Sequence, residues 1–361
     1  MTNFDTFSDS KHIADSLGDQ AKNFDQSSIL LTGSAGFLGY QFLHFFYYLE
    51  KNLGFRFKCV TAVDNYVRGV PDWLKKVKSN FSALELVQDD VLKFTPLREY
   101  DYVIHAASIA SPTFYRKYPL ETIRVNVNGT DRLLDFLKQQ TNKPKSFLFF
   151  SSSEIYGDPA PSCIPTPETY LGNVSCYGPR ACYDESKRVG ETVCYNYFQQ
   201  YDLPIKIVRP FNNYGPGLSI HDRRVIPDMF KSLILQNTIT LLSDGKATRT
   251  FCYVADAVAG YLKALLSPYH GEIFNIGSDS PEVSIYDLAQ LIKKIIGNDN
   301  TRINLETSAD KHYLTDNPNR RCPDLSKARR LLAYDPSITL EQGLELTFSY
   351  YKSFSGLSSG N

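Results

Sequence analysis

The chain has 361 residues, which suits one large domain or two closely joined domains with a sizeable hydrophobic core. Lys and Arg number 39, as do Asp and Glu, so the net charge of zero offers no overall field to nucleic acid or to an anionic membrane. No apolar run approaches the ~20 residues of a membrane span, and the seven cysteines lack metal-type spacing. We therefore expect a globular cytoplasmic protein with reduced thiols and with no metal, nucleic-acid or membrane partner.

The N-terminal segment is polar and lacks the apolar centre of a signal peptide. We expect an N-terminal arm over residues 1–27, which is either frayed or contains one short helix at residues 12–17.

The first chemical signal is an apolar strand at residues 29–31 that leads through a glycine-rich turn into a helical pattern. Such a unit aims free backbone N–H groups and the positive end of a helix dipole at one point, which suits a pyrophosphate. The spacing is G-x-x-G-x-x-G rather than G-x-G-x-x-G, and a plain glycine turn could give the same match. The expected cofactor-binding residues of this turn are Gly33, Gly36, Phe37, Leu38 and Gly39.

A second apolar strand, at residues 57–63, ends in Asp64 and Asn65. A carboxylate at this strand end can accept hydrogen bonds from both ribose hydroxyls of NAD, and it would repel the 2′-phosphate of NADP. The alternative is that Asp64 only caps a turn. Together with the glycine turn, the strand end predicts NAD as the cofactor.

Further strands are predicted at residues 84–87, 101–105, 147–150 and 205–208, with helices between them. This alternation predicts an α/β fold with a Rossmann-type, doubly wound parallel sheet, whose ligands bind outside the carboxyl ends of the strands. Asp90 could contact the adenine amino group or be an ordinary loop carboxylate. The small residues that would let a cofactor approach the backbone are Ala106, Ala107 and Ser108.

The regular alternation becomes irregular from about residue 214. We therefore expect residues 28–213 to form the NAD-binding domain and residues 214–350 to form mainly a smaller C-terminal substrate-binding lobe. Residues 351–361 are expected to be a flexible tail.

The candidate catalytic group is a tyrosine and a lysine four residues apart on a helix predicted at residues 181–200. An ammonium beside Tyr183 would favour the phenolate and lower its pKa, and Lys187 supplies it. Ser152 could hold the substrate oxygen while Tyr183 takes its proton. One Tyr–Lys spacing alone usually reflects a surface lysine beside an interfacial tyrosine, but in this chain order with the glycine turn it predicts hydride-transfer chemistry.

Taken together, these motifs resemble the extended short-chain dehydrogenase/reductase family that processes nucleotide-sugars, and within it the UDP-glucuronate decarboxylases. The likeness runs from about residue 28 to residue 350. The matching segments are GSAGFLG (33–39), VDN (63–65), HAASIASP (105–112), SSSEIYGD (151–158), GPRACYDESKR (178–188), RPFNNYGP (209–216), TRTFCYV (248–254) and RRCPD (320–324).

The resemblance implies that Tyr183 is the base, that Lys187 is its partner and that Ser152 orients the sugar hydroxyl. It also implies that Glu154, next to Ser153, is the acidic group near C5 of the sugar. The remaining implied cofactor contacts are Asn65, Asp90, Val91 and Asn126, together with Tyr183 and Lys187, of which the lysine can reach the nicotinamide ribose. The implied substrate contacts are Ser111, Tyr115, Glu154, Asn212, Arg224, Arg249 and Arg321. Arginines suit diphosphate oxygens because a guanidinium forks onto two acceptors, although any one of them could equally be a solvated surface residue.

The implied reaction is redox-neutral. Bound NAD oxidises C4 of UDP-glucuronate, and the resulting β-keto acid loses carbon dioxide to leave an enolate. Protonation at C5 and return of the hydride then give UDP-xylose. The resemblance also implies a homodimer formed through the long helices that begin near residues 119 and 181.

Two sister activities and one non-catalytic role stay open. The 4,6-dehydratases usually carry Thr-Asp-Glu where this chain has Ser152, Ser153 and Glu154, and the 4-epimerases usually lack the Glu, so decarboxylation is favoured. A non-catalytic NAD sensor is a distant alternative because the serine, tyrosine and lysine are all present. The departures from the decarboxylase pattern are Tyr40, Ile109, Ser186, Gly190 and the loop at Val67 and Arg68.

Overall fold

The computed structural model describes residues 5, 7–308, 315 and 317–354. Its strands are β1 (Ser28–Thr32), β2 (Cys59–Asp64), β3 (Leu84–Gln88), β4 (Tyr102–His105), β5 (Ser146–Phe150), β6 (Ile205–Pro210), β7 (Asn213–Tyr214), β8 (Thr238–Leu241), β9 (Thr248–Arg249), β10 (Cys252–Tyr253), β11 (Glu272–Ile276), β12 (Val283–Ser284), β13 (Arg302–Leu305) and β14 (Arg320–Arg321).

The α-helices are α1 (Ser8–Leu17), α2 (Phe37–Leu53), α3 (Asp72–Asn80), α4 (Pro112–Lys117), α5 (Pro119–Arg124), α6 (Thr130–Lys138), α7 (Ala181–Tyr201), α8 (Val225–Gln236), α9 (Val254–Leu266), α10 (Ile285–Ile295), α11 (Ser326–Leu332) and α12 (Leu340–Phe354). Short 3₁₀ turns lie at Gly18–Phe24, Ser153–Tyr156 and Pro161–Cys163.

Seven strands form one sheet in the order β11-β6-β5-β4-β1-β2-β3, and every neighbouring pair is parallel. The order reverses between β4 and β1, so the crevice for a ligand opens at the carboxyl ends of these two strands. The register places Thr32 beside Val63 and His105, which brings the ends of β1, β2 and β4 to one edge. The predicted Rossmann-type doubly wound sheet is confirmed.

The core lies on both faces of this sheet because the strands alternate their side chains between two layers. Ile29 and Leu31 join the layer that contains α2 and α9, whereas Leu30 joins the layer that contains α6. Both layers contain a large cluster of buried apolar side chains, as expected for a parallel sheet covered by helices on each side.

The N-terminal helix α1 packs against α2 and α9. The buried carboxylate of Asp9 accepts a hydrogen bond of 2.9 Å from the Tyr253 hydroxyl, and His12 Nε2 lies 2.7 Å from Asp256 Oδ1. The helix therefore starts four residues before the short helix expected at residues 12–17, and it is packed rather than frayed.

The helix expected from residue 119 contains a π-helical turn at Val125–Gly129, between α5 and α6. Asn126 sits in this turn and is buried, with its side chain directed at α7. Periodicity could not reveal the turn because residues on both sides of it keep a helical pattern.

The C-terminal part of the chain contributes three small sheets, β10-β7, β12-β9-β14 and β13-β8, together with α8 and α10 to α12. Strand β11 and helix α9, which also fall within residues 214–350, belong to the main sheet and its helical layer. The division into two lobes stays a prediction. Helix α12 was not predicted, and its end covers the start of the segment expected as a tail; residues 355–361 of that segment lie outside the described residues.

Within the described part of the chain, no helix is both long and apolar enough to cross a membrane. The same residues contain no group of three or more His, Cys, Asp or Glu side chains that could hold a metal ion.

Candidate active site

The glycine turn leaves no room for side chains. Gly33 has a φ of +71°, and a Cβ on it would lie 2.7 Å from backbone atoms of Ala107. A Cβ on Gly39 would lie 2.3 Å from the carbonyl oxygen of Ser34. Helix α2 begins directly after this turn, so its first N–H groups, including those of Phe37 and Leu38, have no acceptor within the helix. This cradle of glycines and N–H groups fits a pyrophosphate, as NAD requires.

Asp64 is fixed by the loop around it. Its Oδ2 accepts a hydrogen bond of 2.9 Å from Ala35 N, and its Oδ1 accepts one of 2.8 Å from Tyr66 N. Each carboxylate oxygen keeps a second lone pair that a ribose hydroxyl can use. Asp64 therefore caps its turn, as the alternative interpretation held, and it can still bind a ribose.

The other predicted cofactor residues line neighbouring strand ends. Asp90 Oδ1 accepts a hydrogen bond of 2.9 Å from Leu92 N, and the side chain of Val91 lies against Gly129. After β4, Ala106 and Ala107 face the glycine turn. Ser108 Oγ donates to Asn126 Oδ1 at 2.8 Å, so the wall behind the turn is connected to the π-helical turn.

The predicted catalytic residues meet at the carboxyl end of β5. The hydroxyl groups of Tyr183 and Ser152 are hydrogen-bonded to each other. Lys187 Nζ donates a 2.7 Å hydrogen bond to the carbonyl of Phe150, and it lies 5.8 Å from the centroid of the Tyr183 ring. All three side chains are buried, so the site can exclude water around a reacting oxygen.

The expected effect of the lysine on the tyrosine is wrong for this structure. Burial raises the pKa of Tyr183 to about 12, and only the hydrogen bond from Ser152 and the charge of Arg224 oppose this rise. Burial also lowers the pKa of Lys187 to about 7, so its ammonium form is itself disfavoured. The lysine is directed at the Phe150 carbonyl rather than at the phenol oxygen, which explains why spacing along a helix did not predict its charge effect.

Glu154 is held between two arginines. Arg321 donates two hydrogen bonds to its carboxylate, at 2.6 and 2.5 Å, and Arg180 donates another. Burial works against the charged form, but the two guanidinium groups outweigh it and lower the pKa of Glu154 to about 2. The carboxylate is therefore ionised near neutral pH.

Arg180 and Asp184 belong to this cluster, although the sequence analysis gave them no role. Arg180 is buried, and its Nε lies 3.6 Å from Asp184 Oδ2. Burial and the nearby charge of Glu154 raise the pKa of Asp184 to about 7. The sequence could have indicated these two residues by their position, because both lie within four residues of Tyr183 in the segment GPRACYDE.

The predicted substrate residues are engaged by several different partners within the protein. The ring of Tyr115 stacks on Tyr183, and Ser111 Oγ donates a 2.7 Å hydrogen bond to the Asp222 carbonyl. Arg224 Nε lies 3.0 Å from Asp222 Oδ1. Asn212 Nδ2 donates to the carbonyl of Thr250 at 2.8 Å.

Arg249 is used within the protein. Its guanidinium donates to the carbonyls of Thr248, Pro318 and Asn319. Burial and the neighbouring Arg321 lower its pKa to about 9. The roles of these residues toward a nucleotide-sugar stay predictions.

Comparison with known proteins gives consistent results. A sequence-family model described as "NAD dependent epimerase/dehydratase family" matches residues 29–277. UDP-glucuronic acid decarboxylase 6 of Arabidopsis thaliana is 38% identical over 319 residues, covering 88% of this chain and 87% of its own. UDP-glucuronic acid decarboxylase 1 of Xenopus tropicalis is 37% identical over 333 residues, covering 91% of this chain and 73% of its own.

Among solved structures, UDP-glucuronic acid 4-epimerase of Bacillus cereus, in complex with UDP-glucuronic acid and NAD, is 29% identical. It superposes with a TM-score of 0.73 over 90% of this chain and 99% of its own. These matches extend over most of the chain, and the glycine cradle and the Asp64 strand end are consistent with them. The chain therefore belongs to the NAD-dependent epimerase/dehydratase family of extended short-chain dehydrogenases/reductases.

Proposed function

We propose that this chain is an NAD-dependent decarboxylase that converts UDP-glucuronate to UDP-xylose. The observation that carries the proposal is the ionised Glu154, clamped by Arg321 and Arg180 beside the Ser152–Tyr183 pair. The choice of UDP-glucuronate as the substrate rests on the relatives named UDP-glucuronic acid decarboxylases.

The residues divide the chemistry among them. Tyr183 takes the proton of the C4 hydroxyl, and Ser152 holds that oxygen in place. NAD held at the glycine turn would supply the hydride acceptor for C4 and the hydride for the final reduction. Once C4 is a ketone, the C5 carboxylate belongs to a β-keto acid and leaves as carbon dioxide, while the 4-keto oxygen takes up the electrons as an enolate. A proton then adds to C5 in place of the lost carboxylate, and the hydride returns to C4.

Glu154 acts on the stage after oxidation. The proposal places its ionised carboxylate near C5, where carbon dioxide leaves and a proton is taken up. The arginines keep Glu154 charged and hold its position, because two guanidinium groups share its oxygens.

A second candidate is 4-epimerisation of the same substrate, because the Bacillus cereus neighbour is a UDP-glucuronic acid 4-epimerase. A 4,6-dehydratase is a third. Incubation of the purified chain with UDP-glucuronate, followed by mass spectrometry, separates them. A UDP-pentose with release of carbon dioxide supports decarboxylation, an isomeric UDP-uronate would show an epimerase, and a 4-keto-6-deoxy product from a UDP-hexose would show a dehydratase. Bound NAD without any turnover would show a sensor.

We also propose a homodimer formed through α5 and α7, which pack against each other. Both helices leave large apolar side chains in solvent: Leu120 is 60% exposed on α5, and Tyr195 is 55% exposed on α7. Exposed apolar surface of this kind marks interfaces. Light scattering should give twice the chain mass, and the double substitution L120E/Y195E should give a monomer; a monomeric wild-type chain would refute the dimer.

The proposed location is the cytoplasm, because all seven cysteines are unpaired in the structure. Cell fractionation tests this, and enrichment in a membrane-enclosed secretory fraction would refute it.

A further inference from the structure

The loop that follows β2 contacts helix α4 and the segment that carries Asp222. Arg68 extends from this loop, and its guanidinium carbon lies 4.5 Å from the ring centroid of Phe114 in α4. Its terminal nitrogen lies 3.7 Å from Asp222 Oδ2. One side chain thus joins three segments that are far apart in sequence.

The partner of Arg68 is rigidly placed. The carboxylate of Asp222 is buried, and its backbone carbonyl accepts the hydrogen bond from Ser111. Its backbone N donates a 3.0 Å hydrogen bond to the carbonyl of Ser219. This buried carboxylate is shared by two guanidinium groups, because Arg224 Nε also lies 3.0 Å from its Oδ1. A fixed, desolvated carboxylate attracts a guanidinium more strongly than an exposed one does.

The segment that carries Asp222 also contacts the first turns of α2. Gln41 Nε2 donates a 2.8 Å hydrogen bond to the carbonyl of Pro216, and the ring of Tyr40 lies against Gly217. On the other side, Asp64 holds the β2 loop to the glycine turn through Ala35 N. Together with the Arg68 contacts, these contacts connect the β2 loop, residues 216–222, helix α2 and the glycine turn in a closed ring.

The Arg68 contact is the weakest link of that ring. The other links are a buried hydrogen bond, a part-buried hydrogen bond and a packed tyrosine ring, whereas the Arg68 side chain is 55% exposed. We propose that Arg68 is the latch of the dinucleotide cleft: its contacts with Asp222 and Phe114 close the loops over the bound cofactor and set the rate at which NAD leaves. This inference rests on the proposed binding of NAD at the glycine turn.

The proposal has a distinct kinetic signature. A redox-neutral enzyme regenerates NAD in place, so a latch slows exchange of the cofactor without entering any chemical step. Arg68 combines an ion pair with a cation–π contact, and losing both should speed release by about tenfold. High salt should speed release from the wild type in the same direction, because the ion pair is partly exposed.

The test is an exchange experiment. The full chain is loaded with radiolabelled NAD, mixed with excess unlabelled NAD, and passed through rapid gel filtration at intervals. R68A should release label about tenfold faster than the wild type, and R68K should lie between them because it keeps the charge but loses the planar guanidinium. K75A serves as the matched control, because Lys75 is an exposed cation on neighbouring α3 that pairs only locally with Asp72.

The variant D222N and the double variant R68A/D222N test the coupling. If the ion pair is the latch, the double variant should release NAD no faster than R68A. Exchange in R68A within twofold of the wild type, with NAD still bound to both, would overturn the latch and leave the proposed function intact. A wild-type chain that retains no NAD would overturn both. Thermal melting of each variant checks that the fold is preserved.

Discussion

The ring of Tyr115 stacks on the ring of Tyr183, with centroids 5.0 Å apart and planes 12° from parallel. Tyr115 is the buried residue of α4, and Tyr183 lies on α7, so the stack links these two helices. The hydroxyl of Tyr115 is buried, and burial raises its pKa. Tyr115 therefore acts on the predicted base as a platform rather than as a second acid.

Replacing Tyr115 by Leu should reduce kcat by roughly tenfold, because a stacked aromatic pair contributes about 0.5–1.5 kcal/mol to the position of its members. Tyr115→Phe keeps the ring and should retain most of the activity. Steady-state kinetics with UDP-glucuronate measures both variants. Equal losses in the two variants would show that the hydroxyl, and not the stack, matters.

Tyr183→Phe should abolish turnover while NAD stays bound, because the substitution removes one oxygen and leaves the ring in the stack. Product formation and the NAD content of the heat-denatured protein are measured side by side. Substantial remaining activity would exclude Tyr183 as the base.

Glu154→Gln should separate the two halves of the reaction. The neutral amide cannot provide the negative charge near C5, so oxidation at C4 should continue while carbon dioxide release slows. Reduced nicotinamide should then accumulate, seen as its near-ultraviolet absorbance in a single turnover. The variant also leaves Arg321 and Arg180 without their shared anion, so a thermal melt must accompany the kinetics. An unchanged overall rate would refute the role given to Glu154.

Gly33→Ala and Gly54→Ala form a matched pair. Both glycines have positive φ, +71° and +73°, but only Gly33 faces another backbone within 2.7 Å, whereas a Cβ on Gly54 meets nothing within 4 Å. Gly54→Ala should cost about 1 kcal/mol of unfolding free energy and leave NAD binding unchanged. Gly33→Ala should cost more and also abolish NAD retention, as measured by denaturant titration and nucleotide content. Normal NAD binding by Gly33→Ala would exclude the glycine turn as the pyrophosphate site.

The features of this molecule that can be predicted from the sequence are those determined by short-range sequence patterns. The glycine turn and the strand that ends at Asp64 are each contained within about ten residues, and turn geometry and apolar runs determine them. Ser152, Tyr183 and Lys187 could be brought together because parallel strands end at one edge.

The missed features depend on contacts between distant segments. Glu154 and Arg321 are 167 residues apart, so nothing in the periodicity around Glu154 indicates that arginines would hold it. The charge effect of Lys187 was wrong for the same reason, since the Phe150 carbonyl that it contacts comes from another element. The length and packing of helix α1 were underestimated because the helix is held by Tyr253 and Asp256, which are more than 200 residues away in sequence.

That buried N-terminal helix makes the final prediction, which concerns stability and pH. Burial raises the pKa of Asp9 from 3.8 to about 6, against the opposing hydrogen bonds from Tyr253 and Gln41. The folded state therefore holds the proton more tightly than the unfolded state, and this contribution to stability is fully present below pH 3.8 and is lost as the pH rises through about 6. A difference of this size corresponds to about 3 kcal/mol. Asp9→Asn cannot titrate at this position. The unfolding free energy of the variant, measured relative to that of the wild type, should therefore rise by an amount of this order between pH 4 and pH 6.

Urea denaturation at a series of pH values measures the difference between the two proteins, which cancels the titration of groups that do not interact with Asp9. His12 and Asp256 do interact with it, so their response forms part of the measured difference. Asp15→Asn is the control, because Asp15 lies on the same helix, is exposed and pairs with Lys11 in solvent. Its curve should run parallel to that of the wild type. Parallel curves for Asp9→Asn and the wild type would mean that Asp9 is ionised in the folded protein, with a partner stronger than the Tyr253 hydroxyl.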